Sequence, residues 1–592
     1  MNIVCDIETK DLKVNTQINY VGFYWKTKKP NVESFRSFEL PEDLANLKLF
    51  ISKCEDSGVS WVFHNGKFDA VRILYSYGID MKITHDTMIL AYLCSTVDEL
   101  KENRGKWLGL KYAAPRILGV ENWDINVSKK TSTNAADVIP YLEKDCRYTY
   151  ELFETLKASL PQSRYKTYRL IIEALNAYKY VELSGLPIDV GMLQQVRSEY
   201  LKEQQELSQQ LKNIADINYN SPKQLQKLLF EDLQLPVGKF TKSGQPSTGV
   251  MELIELQGKH PIIDLILKQR EVEKALAFLN SWDEEKILHD DGTYRVHSNF
   301  NMHGTVTGRT SSSDVNLQQV PRNKKLKSLF RSTIPGWQLL CADYSQLELR
   351  FAGIVANVSA IKDSYRNGVD LHTLMASKVA NCTMSEVTKE MRTQAKAINF
   401  GFIYGMQAPS FVEYAKASYG VNVSLAESTA IREAFFDLYP ELNLYYDEVE
   451  TTMLATSMLT SIMSREYEVN YDKLLNPYER SNWIRPAINF PVQSAGSDYV
   501  ICGLIEVVNT PKLRDKVMVC ATVHDSIIAL VREDEDFEDT IKTIQSIMEK
   551  PKLTEQLLTT EIDIPIVVDI EIGPLGKGVS LEEYKRNKGE DS

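Results

Sequence analysis

The sequence predicts an α/β and α+β multidomain fold. Its 592 residues exceed the usual size of one domain, so the chain can bury several cores. The first 150 or so residues alternate short strand-like and helical segments, as α/β domains do. Residues from about 165 to 290 look helical, whereas 336–350 and 517–531 contain apolar strands. An α/β region is therefore expected first, and a mixed α+β region after it.

Composition and charge exclude several classes of protein. The apolar share of 43% and charged share of 25% are ordinary for a soluble globular enzyme. A net charge of −12 excludes a globally basic nucleic-acid binder but allows a local basic groove. The eight cysteines are scattered without a CxxC pair, which predicts free thiols in a reducing compartment. There is no signal peptide and no apolar run of membrane-spanning length, so we expect a cytoplasmic location.

Two strand-like segments near the N-terminus carry acidic residues. Residues 2–8, NIVCDIE, predict a strand in which Asp6 and Glu8 share one face. Residues 61–69, WVFHNGKFD, predict a second strand, then a turn and Asp69. Any one of these acids is typical of a solvated surface charge.

Further along, residues 86–93 predict a helix, and Tyr141 and Asp145 stand one helical turn apart. If the four acids of this region converge beside the tyrosine, they would form a two-metal site. Hard oxygen ligands bind divalent ions, and a bound ion can generate a hydroxide that attacks a phosphodiester.

The helical stretch from about 165 to 290 is broken in two places, at 184–187 and at the Gly/Pro/Ser-rich loop 236–249. Ser221 followed by Pro222 predicts a helix start, with serine as the cap. Simple helical packing and a flexible arm that holds a duplex by its backbone are both consistent with this pattern.

The next two segments are a polar loop and a strand that leads into a helix. Residues 303–321 are turn-rich and contain one arginine, Arg309. Residues 336–350, GWQLLCADYSQLELR, predict a strand that ends at Asp343, a suitable place for a metal ligand, and then a helix. Ser345 and Glu348 match a capping box, so a capping role for Glu348 is a serious alternative to a functional one.

Residues 392–405, RTQAKAINFGFIYG, are the most informative stretch. Arg392, Lys396, Phe400 and Tyr404 are four apart and predict one slowly winding stripe on a helix. Two cations followed by two rings suit a phosphate tail that ends in a flat base. The glycines at 401 and 405 suggest close approach by a bulky group. For any single residue, an amphipathic surface helix is the alternative interpretation.

Three segments complete the chain. Residues 420–470 are expected to be mostly helical. Residues 484–504 predict a loop entering a helix, and 517–531 predict a hairpin hinged at His524 and Asp525. An aspartate in a turn usually serves only to form the turn, but the two strongly apolar strands that flank Asp525 make that interpretation less suitable here.

The N-terminal motifs resemble those of the DnaQ-like 3′–5′ exonucleases over about 150 residues. D-x-E reads DIE, N-x3-D reads NGKFD and Y-x3-D reads YLEKD, in that order. By that resemblance Asp6, Glu8, Asp69 and Asp145 hold two metal ions, and Tyr141 positions the attacking water.

The remaining motifs resemble family A DNA polymerases, the bacterial DNA polymerase I and phage relatives. TVTGR with NLQQVP matches the template-primer motif, and DYSQLELR matches motif A. RTQAKAINFGFIYG matches motif B, and VHDS matches motif C. INFPVQ matches the segment before motif C. The resemblance implies a ribonuclease-H-like exonuclease domain at 1–160 followed by a right-hand polymerase at 161–592. Its parts would be the thumb at about 165–290, the palm at about 291–356 and 471–592, and the fingers at about 357–470.

The resemblance also implies the chemistry, which is in-line attack of a primer 3′-hydroxyl on the α-phosphate of a deoxynucleotide. Asp343 and Asp525, with Tyr344, would hold two Mg²⁺, and Arg392 and Lys396 would hold the triphosphate. Two further Mg²⁺ belong to the exonuclease site, and Mn²⁺ is an expected substitute.

Other family roles concern the nucleotide's sugar and the DNA. Phe400 would pack on the sugar, Tyr404 would guard the templating position, and Glu348 would block a 2′-hydroxyl. Minor-groove, primer and template contacts fall to Arg309, Gln493, Arg485, Asn489 and His524. The implied partners are primer-template DNA, deoxynucleoside triphosphates and replisome or processivity proteins, with the enzyme itself a monomer.

Two departures from the family pattern stand out. Motif C commonly reads His-Asp-Glu, whereas here Ser526 follows His524 and Asp525, which puts the metal affinity in doubt. The upstream 5′-nuclease domain of many bacterial members is missing from the sequence, which suits a phage-type replicase or a shortened chain.

Two other functions are alternatives to a DNA polymerase. A single-subunit RNA polymerase is disfavoured by Glu348, Phe400 and the proofreading motifs. A non-catalytic DNA-binding or scaffold protein is supported only by Ser526 and opposed by the full set of expected acids. Ribonucleotide use, or DNA binding without primer extension, would distinguish them.

Overall fold

A five-stranded sheet forms the N-terminal part of this computed structural model, which describes residues 1–27, 32–103, 105–123 and 134–589. The sheet order is β3-β2-β1-β4-β5, with β1 antiparallel to β2 and parallel to β4. The strands are β1 (Asn2–Thr9), β2 (Ile18–Lys26), β3 (Glu33–Glu39), β4 (Ser60–Phe63) and β5 (His85–Asp86). The strands predicted at 2–8 and in the first part of 61–69 are confirmed.

Within the described ranges, six α-helices accompany this sheet: α1 (Leu44–Asp56), α2 (Lys67–Tyr77), α3 (Thr87–Leu93), α4 (Val97–Glu102), α5 (Leu110–Leu118) and α6 (Ala135–Ser159). Helix α6 packs on β1 and β2, and its Leu142 lies against Gly22, where any added Cβ would come within 2.7 Å of the leucine. A glycine is needed at this crossing because it lets α6 approach the strand pair closely.

The next segment is largely helical, as predicted, and part of it has a core of its own. It contains α7 (Tyr165–Ser184), β6 (Leu186–Pro187), α8 (Val190–Ile214), α9 (Pro222–Gln226), α10 (Val250–Glu255) and α11 (Ile262–Glu285). Leucines and isoleucines between Leu211 and Ile266 form a separate buried cluster. Helix α9 begins at Pro222 after Ser221, but the Ser221 side chain makes no capping hydrogen bond.

Antiparallel sheets follow. Strand β8 (Tyr294–Val296) pairs with both β6 and β7 (Lys286–Leu288), and β9 (Asn299–Asn301) pairs with β10 (Ser311–Ser313). The largest of these sheets has the order β14-β15-β11-β16 and contains the predicted strand and hairpin. Its strands are β11 (Trp337–Tyr344), β14 (Val517–Val523), β15 (Ser526–Arg532) and β16 (Val568–Ile572).

Helices fill the chain between β11 and β14, apart from one short hairpin. Residues 420–470 are mostly helical, as predicted, and β12 (Met458–Thr460) and β13 (Glu466–Glu468) form a short hairpin after Thr456. These helices are α13 (Leu347–Val355), α14 (Ser359–Arg366), α15 (Leu371–Ala380), α16 (Lys389–Phe402), α17 (Ala408–Tyr419), α18 (Leu425–Leu438), α19 (Glu441–Thr456), α20 (Asp472–Leu475) and α21 (Pro477–Asn509). The short helix α12 (Lys324–Lys327) precedes β11, and α22 (Phe537–Glu549) and α23 (Leu581–Lys588) follow β15.

The predicted loop at the start of 484–504 is also wrong, because α21 runs through it. Pro486 and Pro491 lie inside the helix, where each removes one backbone hydrogen bond. At each proline, the carbonyl three residues earlier accepts a hydrogen bond from a tyrosine hydroxyl. Tyr467 donates to Trp483 at 3.2 Å, and Tyr445 donates to Ile488 at 2.7 Å. These tertiary bonds stabilise a helix that the local sequence disfavours.

One continuous apolar core joins the N-terminal sheet to the later sheets and helices. Helix α7 takes part in it, since the Tyr178 hydroxyl lies 2.9 Å from Thr522 Oγ1 on β14. All eight cysteines lie in the described ranges and are free thiols, as predicted. In the portion of the chain that the structure describes, no helix combines the length and apolarity needed to cross a bilayer.

Candidate functional site

Two aspartates come together on the sheet that contains β11. Asp343 lies near the end of β11 and pairs in register with Ser526, the first residue of β15. Asp525 lies in the turn just before it, and its carbonyl accepts a hydrogen bond of 3.3 Å from the Tyr344 amide. Strand pairing therefore brings into one place two acids that are far apart in the sequence.

The environment of these aspartates favours cation binding. Burial raises the pKa of Asp525 to about 6, with Arg309 opposing the shift and Glu348 adding to it. Burial also raises the pKa of Asp343, although a hydrogen bond from Ser526 lowers it. Ser526 Oγ donates to Asp343 Oδ1 at 2.7 Å, so the serine that departs from the family pattern contacts the predicted ligand directly.

Glu348 does not cap its helix, so the capping alternative is wrong. The N-cap position of α13 is Gln346, whose φ of 52° is left-handed and whose side chain makes no capping bond. Glu348 instead forms an ion pair with Arg309 and accepts a hydrogen bond of 3.4 Å from the Tyr404 hydroxyl. Arg309 also lies 3.9 Å from Asp525, so the template-primer loop, α13 and the hairpin turn meet at one point.

The side chain of Tyr344 does not belong to this site. It is 3% exposed, and its hydroxyl donates to the Met548 carbonyl at 2.8 Å in the core. Only the main chain of Tyr344 lies beside the aspartates, and the place of this residue in the metal site stays a prediction.

Helix α16 carries most of the predicted stripe. Arg392 and Lys396 are exposed and Phe400 is half-buried, which places the cations at the solvent end and a ring at the inner end. Tyr404 is not helical, because α16 ends at Phe402 and the chain turns at Gly405 with φ of 74°. The Tyr404 hydroxyl lies within hydrogen-bond distance of Glu348, so the tyrosine faces the acids although it stands just beyond the helix.

Arg392 has a partner that the sequence did not indicate. Its guanidinium donates two hydrogen bonds to Asp370, at 3.0 and 2.8 Å. Burial alone would raise the pKa of Asp370, but hydrogen bonds from Arg392 and Thr373 lower it to about 2. The bulky group expected near Gly401 is the ring of Phe411, which an added Cβ would approach within 2.7 Å.

The predicted DNA-contact residues fall into two groups. Arg485, Asn489 and Gln493 follow one face of α21, and the buried Asn489 Oδ1 has no hydrogen-bond partner among the described residues. His524 has a positive φ of 55° beside Asp525 in the hairpin turn, near Arg309. Helix α21 packs on α13, which links the two groups.

A second acidic site lies on the N-terminal sheet. Strand β1 presents Asp6 and Glu8, and α6 presents Tyr141 and Asp145. Single carboxylate oxygens of Asp6, Glu8 and Asp145 lie within 4.8 Å of one another, an arrangement of hard ligands that fits a divalent ion. Burial raises the pKa of Glu8 to about 7, and the Asp145 charge adds to the shift.

Asp69 and Lys111 differ from what the sequence indicated. Asp69 is 2% exposed and accepts a hydrogen bond of 3.1 Å from the Ile7 amide, so its carboxylate is not in the three-acid group found in the described residues. Lys111, which no motif indicated, forms an ion pair with Asp145.

Comparison with known proteins gives a family for each of the two parts of the chain that carry these sites. Residues 190–575 match DNA polymerase family A, and residues 2–161 match a family described as 3′–5′ exonuclease. The chain is 31% identical to DNA polymerase I of Geobacillus stearothermophilus over 404 residues, covering 67% of this chain and 44% of that protein. It is 29% identical to DNA polymerase I of Aquifex aeolicus, covering 85% and 86%, and 29% identical to that of Bacillus subtilis, covering 91% and 60%.

The chain spans about half the length of four curated DNA polymerase I relatives, from 44% to 60%, whereas it covers 86% of the Aquifex protein. Among solved structures, the POL domain of Pol1 from M. smegmatis, in complex with DNA primer-template and dNTP, has the same fold. The TM-score is 0.79 at 23% identity, over 97% of this chain and 95% of that one.

Proposed function

This chain belongs to DNA polymerase family A, and from that premise we propose that it is a template-directed DNA polymerase with a 3′–5′ proofreading exonuclease. The observation that carries the proposal is the meeting of Asp343 and Asp525 beside the Arg309–Glu348 pair. The fold shared with a structure described as holding DNA primer-template and dNTP supports the same ligands here.

In the polymerase site, each residue has a task that its chemistry suits. Asp343 and Asp525 would hold Mg²⁺, or Mn²⁺ in its place, which when bound activates the primer hydroxyl and neutralises charge on the leaving group. Arg392 and Lys396 would hold the triphosphate, which requires Arg392 to exchange Asp370 for phosphate oxygens.

The remaining polymerase residues would position sugar, base pair and strands. Phe400 packs on the sugar, Tyr404 guards the templating position, and the Glu348 carboxylate excludes a 2′-hydroxyl. Contacts with the new pair, the primer and the template fall to Arg309, Gln493, Arg485, Asn489 and His524. The unpartnered Asn489 oxygen supports such a contact, because a buried polar atom without a partner is costly.

In the exonuclease site, Asp6, Glu8 and Asp145 would hold the metal ions and Tyr141 would orient the attacking water. Asp69, which accepts a hydrogen bond from the Ile7 amide and whose charge raises the pKa of Asp6, stays a predicted metal ligand. The predicted count of two ions in each site, the phage-type replicative role, the monomeric state, the cytoplasmic location and the replisome or processivity partners stay predictions.

Primer extension from matched and 3′-mismatched ends tests the proposal. Asp343→Ala should abolish extension while duplex binding persists, and Asp6→Ala with Glu8→Ala should stop removal of the mismatch while extension continues. Near-normal extension by Asp343→Ala would contradict the metal assignment. Incorporation of ribonucleotides in preference to deoxynucleotides would favour the RNA polymerase alternative.

A further inference from the structure

Lys111, on α5, places its ammonium group inside the cluster of exonuclease acids. The side chain is only 15% exposed and pairs with Asp145, whose own side chain is 11% exposed. Its Nζ also lies 4.0 Å from the centre of the Tyr141 ring and 4.2 Å from the centre of the Trp123 ring. A buried ammonium is costly unless it is paired, and here a carboxylate and two aromatic faces surround it.

The partner atom of Lys111 is a candidate metal ligand. Asp145 Oδ1 accepts from Lys111 and also from the Trp123 indole N–H at 2.5 Å. A carboxylate oxygen has two lone-pair sites, so both are taken on this atom. A divalent ion that approaches Asp6, Glu8 and Asp145 therefore meets a resident cation on the third acid.

We propose that Lys111 is a positioning residue of the exonuclease site, which holds Asp145 and Tyr141 in place and competes with the divalent ion for Asp145. The inference rests on the proposed exonuclease function. It implies two effects of opposite sign when the charge is removed. The metal binds more tightly because a competing cation is gone, whereas cleavage slows because Asp145 and Tyr141 lose their anchor.

The test uses the full chain with Lys111→Met and, as a conservative rescue, Lys111→Arg. Lys157→Met is the matched control, because Lys157 lies on α6, is exposed, and contacts the Phe153 ring at 4.9 Å away from the acids. Mn²⁺ binding without DNA is followed by electron paramagnetic resonance, in an Asp343→Ala, Asp525→Ala background that removes the polymerase site. Cleavage of a single-stranded oligonucleotide is measured at saturating Mn²⁺.

We expect Lys111→Met to bind Mn²⁺ about 30-fold more tightly, the ratio that loss of a unit charge about 4 Å from a divalent ion implies at the dielectric constant of water. Its cleavage rate should fall at saturating Mn²⁺, whereas Lys111→Arg should resemble wild type and Lys157→Met should change neither quantity. Unchanged or weaker Mn²⁺ binding by Lys111→Met would overturn the inference.

Two further outcomes separate the possible failures. If Lys111→Met does not fold, Lys111→Gln replaces it, and failure of both to fold would show a purely structural role and overturn the inference. If the wild-type chain does not digest single strands, the proposed exonuclease function fails instead, whatever the Mn²⁺ isotherms show.

Discussion

Ser526→Glu tests whether the position after Asp525 senses the metal ions. The serine oxygen lies 2.7 Å from Asp343 Oδ1, so a glutamate at this position would place its carboxylate about 4 Å from that of Asp343. Two unit charges at this distance interact by about 1 kcal/mol in water and about 4 kcal/mol at an effective dielectric constant of 20. The lower figure applies because the Asp343 side chain remains open to solvent, although the surrounding protein desolvates it enough to raise its pKa.

At the same distance, the new carboxylate would attract a divalent ion by about 2 kcal/mol, because the charge of the ion is doubled. Loss of the hydrogen bond from serine to Asp343 offsets part of this gain. We therefore expect the Mg²⁺ midpoint for primer extension to fall about tenfold. Without metal, the repulsion between carboxylates should lower the melting temperature, by at most about 2 °C in a chain of this size.

The assay titrates Mg²⁺ against the extension rate for wild type, Ser526→Glu and Ser526→Ala. The alanine variant removes the hydrogen bond without adding charge, so it separates the two contributions. An unchanged midpoint with full activity in the glutamate variant would refute the reasoning. A lower rate at all Mg²⁺ concentrations would mean that the local packing accepts only a small residue.

Three further outcomes are expected. Burial raises the pKa of Glu8 from 4.5 to about 7, so its stabilising contribution is complete below pH 4.5 and is lost as pH rises through 7. Metal-free Glu8→Gln should therefore melt higher than wild type at pH 8 but not at pH 5, and equal differences at both pH values would contradict this. Gly401→Ala should overpack against Phe411, which lowers the free energy of unfolding by about 1–3 kcal/mol and with it the melting temperature. Gly496→Ala, whose added Cβ would have its nearest contact at 3.6 Å, should leave the melting temperature unchanged. Phe400→Tyr should increase termination by dideoxynucleotides, because its hydroxyl can replace the missing 3′-hydroxyl; equal termination frequencies would count against placing Phe400 at the sugar.

The errors of the sequence-based predictions share one cause. The start of 484–504 was expected to be a loop, Glu348 was considered a cap because of Ser345, and Tyr404 was placed on a helix by spacing. Each expectation followed a local rule, and each was overridden by a contact from a distant segment. Tyrosines of α19 and β13 stabilise α21, Arg309 pairs with Glu348, and the Tyr446 hydroxyl of α19 donates to the carbonyls of Phe402 and Ile403, where α16 ends.

The sequence by itself determined the strand at 2–8, the strand that ends near Asp343 and the hairpin at 517–531, because apolar periodicity and turn residues act locally, and it located both sets of acids through motif spacing. Only the tertiary structure decided which of these acids meet. Pairing of β11 with β15 joins Asp343 to Ser526, and the packing of α6 on β1 brings Asp145 to Asp6. The tertiary structure also revealed the ion pairs of Lys111 with Asp145 and of Asp370 with Arg392, because an ion pair depends on distance in space and leaves no periodic pattern in the sequence.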